Sequence, residues 1–372
     1  MVSHRWDRCI DYYDQNVKFF FAGHFSESHR KCLFIGGAGF DPRATQMVRD
    51  LEPILKTRLS CLLIKEERPN PDVKLINKAN ETLQVYKDLK INNELLLVNI
   101  FAEDNAVVGG NNTVSRLADY NLSAYSDIVI DFSALSIGIS FPLVKYVYDK
   151  VREGSEPINI HLVVVSNPEL DSMIVSAPND RVTEVRGFPR RDKLHGEPEK
   201  ARLWLPQLSG GRRETLKLIF EAVQPHDTCP ILPFPSDDPK RGDKLVTNFI
   251  SELEDEWAVD NWAVDARNIV YAAERNPLDI YRTILRIDDE RKPVFESFGG
   301  SVVILSPLGS KMLAIGALMA ALEREFPVVY VEALEYNVDW STTDKVVYDN
   351  SKTAHVWLYG EAYLRDIEKS TS

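Results

Sequence analysis

Short apolar runs without interruption, each ending in a polar or glycine-rich loop and followed by a helical stretch, recur along this chain. The first series is Lys31 to Ile35, Leu59 to Ile64, Leu95 to Ile100, Asp127 to Phe132 and Ile160 to Val165. A second follows: Pro230 to Pro233, Asn268 to Ala272, Ser301 to Leu305 and Val328 to Val331. A strand that is apolar at every position must be covered on both faces. When such strands alternate with helices, the expected solution is a parallel sheet with helices on each side.

The two series overlay. A shift of 197 residues sets Phe34-Ile35 on Ile231-Leu232 and Asp41-Pro42-Arg43 on Asp238-Pro239-Lys240. A shift of 207 sets Glu67-Arg68 and Asp72 on Glu274-Arg275 and Asp279, and a shift of 174 sets Val129-Ile130 on Val303-Ile304 and Ser136 on Ser310. The fall from 207 to 174 implies that the second half lacks the counterpart of Leu95 to Leu122. The expected fold is therefore α/β: two Rossmann-like parallel-sheet halves related by internal duplication, with a helical N-terminal arm. Residues 1–30 form that arm, in which Trp6, Ile10, Tyr13 and Val17 lie at helical spacing. Half 1 is 31–175 and half 2 is 226–372. Between them, 176–225 is rich in Gly, Pro and Arg and reads as a linker or a basic flap.

Composition narrows the function. Hydrophobic residues make up 44% and charged residues 27%, the balance of a folded globular chain. The longest apolar runs are too short to span a bilayer, and the N-terminus has no stretch of signal-peptide type, so a cytoplasmic location is expected. A net charge of −12 disfavours general binding to nucleic-acid backbones, which requires a basic surface. Cys9, Cys32, Cys61 and Cys229 are scattered without metal spacing, and the histidines show no visible partners. No metal site and no cofactor is expected from these patterns.

In open parallel sheets, ligands bind beyond the carboxyl ends of the strands. The candidate contacts lie there. Gly36, Gly37 and Gly39 allow close backbone approach, and Asp41 caps a helix that carries Arg43. Glu67 with Arg68, and Glu274 with Arg275, stand where such folds place an acid for ribose hydroxyls. Asp238 and Lys240 mirror Asp41 and Arg43, while Ser133 and Ser136 follow the fourth strand. The sharpest segment is Ser306-Pro307-Leu308-Gly309-Ser310-Lys311, where amides, two hydroxyls and one ammonium converge on a helix start. It is not a Walker A loop.

Pro307-Leu308-Gly309-Ser310-Lys311, preceding a small-residue helix, resembles the fourth-strand loop of the CRISPR-associated Rossmann fold (CARF) family. Two such units in one chain look like the SAVED domain of bacterial anti-phage systems. That resemblance implies a sensor that binds a nucleotide or cyclic oligonucleotide between the loops of two halves. Output would pass to an effector protein or through self-assembly. Ser133-Ala134-Leu135-Ser136 departs from the family pattern, having neither Gly nor Lys. Two other readings stay open: a nucleotide-processing hydrolase or transferase with Asp41 or Asp238 as general base, and a scaffold subunit without catalysis.

Overall fold

The computed structural model describes the chain apart from residues 1–3, 155–156, 191–199, 209–212, 248–265, 340–350 and 364–372. It divides into two compact units, and neither is one continuous stretch of chain. The larger unit is Arg8–Ala177 with Ala333–Ser372; the smaller is Met1–Asp7 with Pro178–Glu332.

In the larger unit a seven-stranded sheet is built from β1 (Ile10–Tyr13), β2 (Cys32–Gly37), β3 (Leu59–Glu67), β4 (Asn92–Asn99), β5 (Asp127–Asp131), β6 (Asn159–Ser166) and the last strand, β14 (Lys352–Tyr359). The order is β1-β14-β6-β5-β2-β3-β4. The five strands β4-β3-β2-β5-β6 are mutually parallel. Winding therefore starts at β2, runs out to β4, then returns across β2 to β5 and β6. Helices Gln46–Leu55, Val73–Asp88, Gly109–Leu117 and Ile137–Glu153 make the crossovers. Every residue of β2, β5 and β6 is buried. That is the cost of a strand sandwiched between helix layers, and their unbroken apolar sequences meet it.

The smaller unit winds in the same order. Its central strand is β8 (Ala201–Pro206), preceded in the chain by β7 (Ile174–Glu184). β9 (Asp227–Thr228) and β10 (Ile231–Pro233) are successive pieces of one strand beside β8, joined to it through Leu203–Asp227, Trp204–Thr228 and Gln207–Ile231. β11 (Val270–Ala272) lies parallel outside β10. On the other side β12 (Ser301–Ser306) lies parallel to β8, and β13 (Val329–Val338) follows it through a bridge at Leu305–Val328. Both units thus place their third, second, first, fourth and fifth strands side by side in that sequence. β7 then flanks β13, with Val185 N–H donating to Val328 O. Trp204, Ile219, Leu232, Ile304 and Val329 anchor the core of this unit.

Three expectations change. Residues 176–225 are no linker: they carry most of β7, all of β8 and the helix Arg213–Val223. β8 was hidden because only Leu203-Trp204-Leu205 among its residues is a continuous apolar run. Nothing is therefore missing from the second series. The overlay had placed the first strand of the larger unit on the second strand of the smaller, and Glu67 (second strand) on Glu274 (third strand). Only the shift of 174 joins topologically equivalent residues, since β5 and β12 are both fourth strands. Finally, Ile10–Tyr13 is not helical but pairs with β14, from Ile10–Trp357 to Tyr13–Ala354. A partner so distant in sequence leaves no local signal. A helix is described over 241–247, and the residues that follow it, 248–265, lie outside the described residues.

The helix Lys311–Arg324 is buried over all of Met312–Leu322. Its Gly316 has a packing reason: a Cβ there would lie 2.1 Å from the carbonyl oxygen of Pro277 and 2.3 Å from Ile280 Cγ2. A backbone carbonyl at a helix start cannot step aside. Gly316→Ala is expected to destabilise the protein by about 1–3 kcal/mol or more, the usual cost of overpacking. Gly39→Ala, with nothing within 4 Å of its Cβ position, should leave the urea midpoint nearly unchanged. Equal midpoints for the two variants would refute this packing account.

Candidate functional site

In a sheet wound this way, the strand order reverses between the first and fourth strands, and loops leaving their carboxyl ends part to opposite faces. That divergence leaves a crevice. In the larger unit it is flanked by the end of β2 with the loop to Asp41, and by residues 132–136 after β5.

There the chain has filled its own crevice. A Cβ on Gly37 would fall 2.6 Å from the carbonyl oxygen of Ala134, and one on Gly36 would fall 2.7 Å from the ring of Phe34. Both glycines let protein approach protein, not a ligand. Ser133 is fully buried: its hydroxyl and amide donate to Asp131, and the hydroxyl accepts from Val165 N–H at 2.8 Å. Ser136 starts the helix Ile137–Glu153, and its amide donates to the Glu66 carboxylate at 2.7 Å. An anion site at a helix N-terminus is thus occupied by an internal carboxylate. Glu66, one residue before the expected Glu67, also takes Arg68 at 2.8 Å. Arg68 is further held by the Ala333 carbonyl at 3.0 Å and lies over the ring of Tyr336. Glu67 is half-exposed and pairs with Lys65.

Asp41 caps a short 3-10 turn, as its position implied, by accepting from Arg43 N–H. Arg43, expected to face a phosphate, is instead 2% exposed and locked between Asp41 and Asp171, both at 2.7 Å. Burial alone would lower its pKa; the two carboxylates outweigh that and raise it. With Asp41 committed to Arg43, it is poorly placed as a general base.

In the smaller unit, β8 and β12 are the first and fourth strands, so the crevice is flanked by the loops after Pro206 and Ser306. Residues 209–212 of the first loop lie outside the described residues. The Ser306 hydroxyl is not offered to a ligand: it is fully buried and accepts from the Trp204 indole at 2.9 Å. Ser310 is the helix cap, accepting from Leu313 N–H, and Lys311 is the first helical residue. Facing Gly309 stands a residue that sequence reading missed, Gln207. It is 1% exposed, and its Nε2 donates weakly to Leu313 O at 3.4 Å. Its Oε1, 3.6 Å from the Cβ position of Gly309, has no hydrogen-bond partner. A buried amide oxygen without a donor costs on the order of 1–3 kcal/mol. The signal for Gln207 was a polar residue directly after an apolar strand, lost when that strand was read as linker.

Elsewhere in this unit the expected contacts are spread apart. Asp238 is exposed and bound to Lys244, which with the Lys240 amide holds its pKa down; that is the wrong direction for a general base at neutral pH. The Lys240 amide caps onto Asp238. Arg275 pairs with Asp237. Glu274 is buried after β11, accepts from Arg241 at 2.5 Å through Oε1, and leaves Oε2 without a partner. Desolvation pushes its pKa up against the pull of Arg241.

Residues 4–7 pack on helices of this unit. Trp6 is buried edge-on against Tyr281, His4 pairs with Asp289, and Arg5 pairs with Glu323 near the far end of the helix Lys311–Arg324. The histidines also differ from expectation. His29 is exposed beside Glu27, and His226 accepts from Arg202 N–H. His195 lies outside the described residues. His24, His161 and His355, however, gather around Asp127 at the amino end of the larger sheet, together with one another.

No family model matches the chain, and no curated protein matches it. Among solved structures it is similar to a putative universal stress protein from Pseudomonas aeruginosa UCBPP-PA14, at 9% identity over 83% of this chain and 94% of that one, with a TM-score of 0.21. It is also similar to the glycopeptide N-methyltransferase MtfA complexed with sinefungin, at 17% identity over 46% of this chain and 60% of that one, with a TM-score of 0.20. Among the described residues no helix is long and apolar enough to cross a membrane.

The raised pKa of Glu274 has a measurable consequence. The unfolded side chain ionises near pH ~4.3. In the folded unit ionisation is delayed, so stability is fully present below that value and falls as pH rises through the folded pKa. Glu274→Gln removes the ionisation. Its stability relative to wild type should therefore increase as pH rises from about 4.3. Urea midpoints measured at intervals from acid to neutral pH read this directly. A difference that shrinks with rising pH would mean that Arg241 outweighs desolvation.

Proposed function

We propose that the smaller unit binds a nucleotide-type ligand at the carboxyl end of its sheet, where β8 and β12 diverge. A phosphate would meet the helix start at Gly309-Ser310-Lys311, and a ligand N–H or O–H would donate to Gln207 Oε1. That buried, unpartnered oxygen is the observation that carries the reading, because a donor arriving there satisfies a group the protein leaves unmade. The larger unit supports it by contrast, since Glu66 sits at the equivalent helix start. The two units are thus unequal, and a two-fold symmetric ligand is disfavoured.

The resemblance of residues 307–311 to the CARF loop points the same way and suggests an oligonucleotide messenger. In this reading the protein is a sensor of prokaryotic anti-phage defence that signals to an effector protein or by self-assembly. Asp41 and Asp238, the bases a hydrolase or transferase would need, are both committed elsewhere.

Isothermal titration against mononucleotides, dinucleotides and cyclic oligonucleotides tests the proposal. Wild type should take up at least one. Lys311→Ala should weaken that uptake by about tenfold or more, the scale of one charge-assisted hydrogen bond, while the protein stays folded by circular dichroism. Gln207→Leu should weaken it as well. No uptake by wild type across the panel, or full affinity in Lys311→Ala, overturns it.

A further inference from the structure

At the end of the larger sheet opposite its ligand-type loops, four side chains converge in the core. His24 is the last residue of the helix Gln15–His24, Asp127 opens β5, His161 lies near the start of β6, and His355 lies on β14. Asp127, His161 and His355 are fully buried, and the His24 side chain is 5% exposed. His24 Nε2 stands 2.7 Å from Asp127 Oδ1, and His161 Nε2 stands 3.4 Å from the same oxygen. All three atoms fall within 4.8 Å of one another.

That one oxygen also faces Asn159 Nδ2 at 2.9 Å and Arg30 Nη1 at 3.6 Å, whereas Oδ2 accepts from Ser126 at 2.7 Å. Four nitrogens crowd an atom with two lone pairs, and two of them are imidazoles able to present lone pairs of their own. We propose that His24 Nε2, His161 Nε2 and Asp127 Oδ1 are ligands of a divalent first-row metal ion, and the donor set favours Zn2+. Tetrahedral zinc with bonds of 2.0–2.1 Å sets its ligand atoms about 3.3 Å apart. The His161–Asp127 spacing meets that, and the His24–Asp127 spacing needs to open by about 0.6 Å to reach it.

The surroundings suit a metal. His161 Nδ1 lies 3.0 Å from His355 Nε2, the outer contact that fixes the ring and tautomer of a metal-bound histidine. The carbonyl end of the helix Gln15–His24 adds partial negative charge. Phe20, Phe21, Phe25 and Trp357 pack against the histidine rings. Among the described residues Arg30 opposes the site as a cation beside Asp127, and it is balanced by Glu27 at 3.0 Å and Glu361 at 2.6 Å. The ion would tie the N-terminal helix to the amino ends of β5 and β6.

The full-length protein, stripped with a chelator and dialysed, is titrated with Zn2+ by calorimetry and with Co2+ by visible absorption. About one equivalent of Zn2+ should bind, Co2+ should give the intense bands of a four-coordinate site, and Zn2+ should raise the unfolding temperature. His24→Ala should lower affinity at least tenfold and abolish the thermal shift, while His226→Ala, in the smaller unit, should behave as wild type. Should His24→Ala not fold, Asp127→Asn, which keeps the shape and the hydrogen-bond acceptor, carries the same expectation. No uptake by folded wild type, or equal uptake by the variant that folds, overturns the site.

Discussion

Everything in each unit is arranged by the parallel pairing of its first strand with its fourth. In the larger unit Phe34 sits beside Val129, and in the smaller Leu203 sits beside Val303. Because strand two and strand four leave the first strand on opposite sides, the helices that follow must cover opposite faces. The loops between them are forced apart at one end only. This geometry alone gives a parallel sheet a functional end, before any side chain is considered.

The two units answer that geometry differently. The larger closes the gap with its own groups: Gly37 against the Ala134 carbonyl, Ser133 bound across β5 and β6, and Glu66 at the helix start. Its Arg43, which reads as a phosphate contact, is a buried strut between two carboxylates. A charge so enclosed contributes only while both partners remain, so it serves shape over recognition. Buried oxygens without a partner remain in both units, at Asn93 and Ser136 in the larger and at Gln207 and Glu274 in the smaller. Such groups lower stability.

Legibility in the sequence followed the range of the interactions. Strands buried on both faces were visible because burial is written as unbroken apolar residues; all five parallel strands of the larger unit were found near their bounds. β8 was not, because Arg202 and a following run of Gly and Arg hide it among residues that favour loops. Missing it displaced the whole overlay by one strand. The cap Asp41 was legible, since a cap acts within three residues. The commitments of Arg43 to Asp171 and of Ser136 to Glu66 were not, because they join positions far apart. The histidines failed for the same reason: His24, His161 and His355 are separated by long intervals, and only the sheet brings them to Asp127.

The interleaving of the chain bears on how the protein is made. Residues of the smaller unit, 178–332, are inserted between β6 and β14, yet β14 lies between β6 and β1 in the finished sheet. On a ribosome, the four strands from β2 to β5 and their neighbour β6 emerge early, but β1 must wait for its only ladder partner until the inserted unit has been synthesised. The exposed edge of β6 is unprotected during that interval. Vectorial synthesis therefore leaves the larger sheet open to mispairing for about half the length of the chain, a period in which chaperone binding would matter most.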